Sequence, residues 1–131
     1  MAPRLTPQDR LLRAISEGVW RAQVEGYARA GRWMYFHAPD NRPVRSARGR
    51  MYVQNVTGGW PDDFLARDGR LVALETKTEL GAFRPGQVDW LLALQAGGVE
   101  VAVVRPSDAA LVVAVLLHGA PLPRFERPAG Q

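Results

Sequence analysis

Between Thr6 and Gly31 the apolar residues fall at helical spacing: Trp20, Val24, Tyr27 and Ala28 share one face, with Glu17 at its head. Thr6-Pro7-Gln8-Asp9 is a start signal, combining a capping hydroxyl, a proline suited to the first helical position and an acid in the first turn. The spacing predicts a helix to about Ala30, stopped by Gly31 and open to a break near Gly18. Residues 33–37 read as a short strand, 40–50 as a polar, arginine-rich loop, and 51–56 as a second short strand broken by Thr57-Gly58-Gly59. Residues 85–96 read as a helix stopped by Gly97-Gly98. The continuous apolar run 99–104 has strand length, and Ser107 is expected to cap a last helix from Asp108 to about Leu117. Residues 1–119 then form one domain, and the proline-rich residues 120–131 a flexible tail.

The segment 62–77, DDFLARDGRLVALETK, is the most informative. Asp68-Gly69 between two alternating apolar runs is a strong hairpin signal, and a two-residue turn there fixes the register. Arg67 faces Arg70, Leu65 faces Val72, Phe64 faces Ala73, and two steps further Asp62 lies opposite Glu75. Side chains alternate along a strand, so Glu75 and Lys77 project on one face. The pattern gathers Asp62, Glu75 and Lys77 into a cluster. The element order, α-β-β-β-α-β-α, indicates a small α/β domain with a mixed sheet.

At 131 residues the chain has the length of one domain, and its 47% hydrophobic content is that of a globular protein. The absence of cysteine excludes disulfides, thiol catalysis and Cys-ligated zinc, and two histidines are too few for a His-rich metal site. No run is long enough to span a bilayer, and the first residues carry no apolar core of a secretory signal, so a cytoplasmic protein is expected. The net charge of +4 suits a polyanionic partner. Sixteen of the 17 basic residues are arginine, and Lys77 is the one lysine. Against that bias, a position that stayed lysine points to a need for its compact ammonium group.

Two carboxylates facing each other across a hairpin repel, and a divalent cation compensates them directly. Asp62 and Glu75 supply two oxygens for Mg²⁺, and the Thr76 carbonyl can add a third. Lys77 would then hold or deprotonate a water beside the ion, a route to phosphodiester hydrolysis. A solvated hairpin edge with a Glu75–Lys77 contact is the plainer alternative. Glu17 has two readings of similar weight: an inward-facing site carboxylate, or an intrahelical partner of Arg13 or Arg21. Gln87, in the first turn of the helix after the hairpin, is in place either to reach the site or to face solvent. Arg42, Arg45, Arg48 and Arg50 form a basic segment suited to binding phosphates, or simply a solvated loop. A structural role suits His37, and His118 is a favourable charge near a helix end.

Gly59-Trp60-Pro61-Asp62 followed by Glu75-Thr76-Lys77 resembles the PD-(D/E)xK nuclease superfamily, and within it the stand-alone VRR-NUC domains, many of them phage-encoded. The similarity runs from Ser16-Glu17 through Trp33 and His37 to the segment ending Arg105-Pro106-Ser107-Asp108. The resemblance implies a restriction-endonuclease-like fold and DNA cleavage dependent on Mg²⁺ or Mn²⁺. It assigns the metal-binding acids to Asp62 and Glu75, the catalytic lysine to Lys77, a helix glutamate to Glu17 and a motif glutamine to Gln87. It further implies a homodimer acting on branched DNA such as Holliday junctions. Three positions depart from the pattern: Thr76 and Asp63 stand where apolar residues are usual, and Arg84 stands where a Ser or Thr cap is common. The expectation is a structure-selective endonuclease. Its rivals are a DNA-binding module that keeps the fold without cleaving and a general nicking nuclease.

Overall fold

Thr6 opens the first helix as its sequence suggests: its hydroxyl accepts from the Asp9 amide (3.0 Å), and the Asp9 carboxylate accepts from the Thr6 amide (2.9 Å). That helix, α1 (Pro7–Ala14), ends early. Ile15 turns extended, and the Ser16 hydroxyl accepts from the Val19 amide (3.2 Å), starting α2 (Glu17–Ala30). The single interrupted helix is thus two helices, and the break falls at Ile15-Ser16 rather than Gly18. A serine that caps its own downstream turn competes with continuation of the upstream one.

The computed structural model describes residues 3–38, 43–45, 47–49, 51–53 and 58–131. The elements after α2 are β1 (Met34–His37), β2 (Pro43–Arg45), β3 (Met51–Val53), β4 (Asp63–Arg67), β5 (Arg70–Thr76), α3 (Gln87–Ala96), β6 (Glu100–Val104), a 3-10 turn (Pro106–Asp108) and α4 (Ala109–His118). Four strands form one mixed sheet in the order β1-β4-β5-β6, antiparallel except for the parallel β5–β6 pair. The protein is therefore a mixed α/β domain with a four-stranded sheet and four helices. Part of the segment expected as a loop is strand β2, which pairs with β3 in a separate two-stranded sheet. The expected strand 51–56 is described only over β3.

The β4–β5 hairpin has the expected register, Arg67↔Arg70 through Phe64↔Ala73 and on to Asp63↔Leu74. Asp68 and Gly69 both take positive φ (50° and 78°), as a two-residue turn matched to strand twist demands. Alternation along β5 sends Val72 and Leu74 to one face and Ala73 and Glu75 to the other. The first face packs Leu65, Val72 and Leu74 under Trp20, Val24 and Ala28 of α2 and Val112, Val115 and Leu116 of α4. Each large side chain buried there contributes about 1.5–3 kcal/mol. The second face packs Ala73 and Val101 under Leu91 of α3.

Three further expectations change. Helix α3 starts at Gln87 rather than Pro85, because Gly86 is left-handed (φ 85°) and cannot lie inside a helix. Ser107 does not cap the last helix: its amide donates to Glu79 (3.0 Å), and α4 follows the 3-10 turn. Residues 120–125 are docked rather than free. Ala120 and Leu122 join the first core, Phe125 joins the second, and Gln95 exchanges two hydrogen bonds with the Phe125 backbone (2.7 and 2.9 Å). Among the described residues no helix is long and apolar enough to cross a membrane.

Candidate active site

The approach to the hairpin is built by close packing. Gly59 has φ 82°, and a Cβ there would meet the Gly86 carbonyl carbon at 2.5 Å and the Gln87 nitrogen at 2.8 Å. Only glycine lets this loop lie against the start of α3. The Trp90 indole donates to the Gly58 carbonyl (3.1 Å), and Trp60 packs edge-on to Trp90 and stacks on Phe64. This aromatic cluster sets the entry of Pro61-Asp62 into β4.

Asp62 and Glu75 come together as the register requires. One oxygen of Asp62 accepts from both the Thr76 amide (3.1 Å) and the Thr76 hydroxyl (3.0 Å). Thr76 is thus the group that pins Asp62. Glu75 is buried, with 2% of its surface exposed. Its Oε1 accepts from the Gln87 side-chain Nε2 (2.7 Å) and lies 3.5 Å from Lys77 Nζ. Its Oε2 is buried without a hydrogen-bond partner among the described residues. Burial first, and the Asp62 charge second, push the Glu75 carboxyl up to about 8, against the opposing pull of Lys77.

Gln87 belongs to the site rather than to solvent. Its carbonyl oxygen accepts from the Arg84 amide (2.7 Å), which commits its N–H group to Glu75. Lys77 is 6% exposed, and its ammonium lies 5.9 Å from the centre of the Phe83 ring. Its own amide donates to the Val104 carbonyl (3.1 Å), which also takes the Trp20 indole N–H (2.9 Å). Trp20 therefore ties α2 to the end of the sheet that carries the site.

Glu17 is not brought into contact with Asp62 or Glu75. Its carboxylate pairs with Arg21 at 3.5 Å, the intrahelical alternative that its spacing allowed. It also sits on α2, which covers the sheet face opposite Glu75. Arg48 is exposed, Arg45 lies in β2, and Arg42 and Arg50 fall outside the described residues.

The structure adds a group that the spacing did not single out. Asp63 alternates to the face away from Asp62 and is fully buried. One of its oxygens accepts from the Tyr35 hydroxyl (2.7 Å) and pairs with His37 Nδ1 (2.8 Å), while the other is buried without a partner among the described residues. Burial raises the Asp63 carboxyl, and the hydrogen bonds from Tyr35 and His37 oppose that rise. Burial and the Asp63 contact raise the Tyr35 hydroxyl in turn. The detectable signal was Tyr35 and His37 alternating on a strand beside an unexplained second acid, but their pairing needs the β1–β4 register.

Among the described residues no three His, Asp or Glu side chains stand together as a preformed metal cage. Two facing carboxyls, one with a buried unpartnered oxygen, nonetheless form a donor set that suits a hard divalent cation supplemented by water. Comparison of the chain with protein-family models, with curated proteins and with solved structures finds no match.

Proposed function

We propose that this protein is a divalent-cation-dependent DNA endonuclease of the VRR-NUC type, with a restriction-endonuclease-like core and a preference for branched DNA. The observation that carries the reading is the Asp62–Glu75 pair: Glu75 Oε2 is buried with no partner among the described residues, while Lys77 and Gln87 hold Glu75 Oε1. Ionising a buried carboxyl of this kind costs stability, and a cation shared with Asp62 would offset that cost. Asp62 and Glu75 would hold Mg²⁺ or Mn²⁺, with the Thr76 carbonyl a third donor. Once bound, the ion supplies Lewis-acid stabilisation of charge on a phosphoryl oxygen.

The chain's own groups do the remaining work. Thr76 keeps Asp62 turned toward Glu75. Gln87 holds Glu75 in a single orientation through an amide that has no other choice of donor direction. Lys77, beside Glu75, would hold an attacking water as the ammonium, or take that water's proton as the neutral amine. The basic segment around Arg45 and Arg48 supplies phosphate contacts. Two symmetric incisions in a junction need two sites, so the reading includes a homodimer.

The test is cleavage of junction, flap and linear DNAs with Mg²⁺ or Mn²⁺. Wild type cuts, with branched substrates preferred, and Glu75→Ala loses activity by at least about a thousandfold. Equal behaviour of the two proteins on every substrate defeats the proposal. One observation favours a second reading, a DNA-binding module that does not cleave: Glu75 and Lys77 are only 2% and 6% exposed. Calorimetry with Mn²⁺ separates the two, because only the nuclease binds the ion through Asp62. A monomer that nicks all substrates alike would instead mark a general nicking nuclease.

A further inference from the structure

Arg105 stands just past β6, outside the carboxylate cluster, yet it reaches the segment that covers Lys77. Its Nη1 donates to three backbone carbonyls, those of Thr78 (2.7 Å), Gly81 (2.9 Å) and Glu79 (3.3 Å). Three carbonyl dipoles converging on one point repel one another, and a guanidinium at the focus is what holds them there. The same turn is tied a second time, because the Glu79 carboxylate accepts from the Ser107 amide (3.0 Å). Arg105 is itself braced by Asp108, whose side chain accepts from the Arg105 amide (2.8 Å).

The position of this turn gives the clasp its meaning. Residues 78–86 join Lys77 at the end of β5 to Gln87 at the start of α3, and both of those side chains grip Glu75. Phe83 of the same segment lies near the Lys77 ammonium, and a Cβ at Gly81 would meet the lysine Cδ at 3.6 Å. We infer that Arg105 is a positioning residue, which closes residues 78–86 over Lys77 and so keeps its ammonium against Glu75 and out of solvent. It touches neither carboxylate of the pair. For its effect on cleavage the inference rests on the nuclease reading. For the burial of Lys77 it stands alone.

Lys77 is the one lysine in the chain, so an amine-acylating reagent followed by mass spectrometry reports its exposure directly, with only the amino terminus as a competing amine. Wild type should acylate at Lys77 slowly, and Arg105→Ala should raise the rate roughly tenfold, as local opening exposes the side chain. Arg105→Lys should fall between, since one ammonium does not span three carbonyls. Glu79→Ala, which removes only the second tie, should give a smaller rise of about threefold, and it carries the test if Arg105→Ala does not fold. Arg70→Ala is the control for general loosening. It breaks a clasp at the other end of the sheet and should leave Lys77 at its wild-type rate when proteins are compared at equal fraction folded. The inference is overturned if Arg105→Ala and Glu79→Ala both label like wild type, or if Arg70→Ala speeds labelling equally. If wild type cuts DNA, Arg105→Ala should lower kcat with little change in KM. If wild type does not cut, the nuclease reading fails and the labelling result still decides the role of Arg105.

Discussion

The two ends of the β4–β5 hairpin handle charge in opposite ways. At the turn end every charge has an opposite or a π face: Arg70 forks onto Glu100 with two bonds of 2.7 Å, and Arg67 and Arg70 both lie over Trp33. Arg67 also donates to the Gly31 carbonyl (2.7 Å), and Arg70 to that of Ala120 (3.0 Å), so this end locks α2 and the C-terminal segment to the sheet. Pairing with Arg70 lowers the Glu100 carboxyl and raises the Arg70 guanidinium. At the open end Asp62 and Glu75 come together on one face and Asp63 is buried on the other, and Glu75 and Asp63 each keep a buried oxygen with no partner among the described residues and are displaced upward. The contrast separates an end whose charges are paired from an end where burial resists ionisation of its carboxyls. A fold tolerates such carboxyls where a ligand will meet them.

The largest expected effect lies at the open end. Lys77→Arg keeps the charge but loses the compact ammonium inside a closed pocket, and turnover should fall by at least about a hundredfold while substrate binding changes little. Single-turnover kinetics with wild-type rates would remove the lysine from the mechanism and weaken the contrast. At the turn end the response should be reversed. Arg70→Ala strands Glu100 and unties residues 119–120, for a loss of about 1–3 kcal/mol in urea unfolding after allowance for partial exposure. Cleavage at low temperature should remain close to wild type.

The pH dependence separates the ends by sign. Glu75 titrates near 8 when folded and in the ordinary carboxylate range when unfolded, so between those values the native state binds more protons. Stability should therefore fall as pH rises from about 5 to about 8, by roughly 2–4 kcal/mol without divalent ions, with Asp63 adding in the same direction. Glu100 is lowered when folded, so its contribution is present above the unfolded pKa and is lost on acidification through the folded one. Glu75→Gln should flatten the slope above pH 5 and leave the acid limb intact. Urea midpoints across pH check both arms, and an unchanged slope in Glu75→Gln would assign the raised carboxyl elsewhere. The smallest effect belongs to the tie on Asp62. Thr76→Val keeps the amide bond and removes the hydroxyl, which should lower cleavage about tenfold and stability by about 1 kcal/mol.

The hairpin was legible because its determinants are local. Asp68-Gly69 sets the turn, the turn sets the register, and the register brings Asp62 to Glu75. The reciprocal Thr6–Asp9 cap was legible for the same reason. Glu17 was ambiguous because a helical face does not say whether its first turn overhangs the sheet, and Arg21 resolved it. The tail looked free because proline-rich composition says nothing of Gln95, whose amide pairs with the backbone of Phe125. Gln87 looked equally suited to solvent until the Arg84 amide fixed its orientation.

By itself the sequence determined the short-range geometry: the Thr6–Asp9 cap, the two-residue turn, strand alternation, and the lone lysine two residues beyond an acid. Those depend on bonds between residues a few positions apart. Tertiary structure alone decided which acids are buried, that Asp63 faces Tyr35 and His37 rather than Asp62, and that Arg105 closes the segment over Lys77. Burial and long-range pairing depend on how distant elements pack, and local pattern does not carry that information.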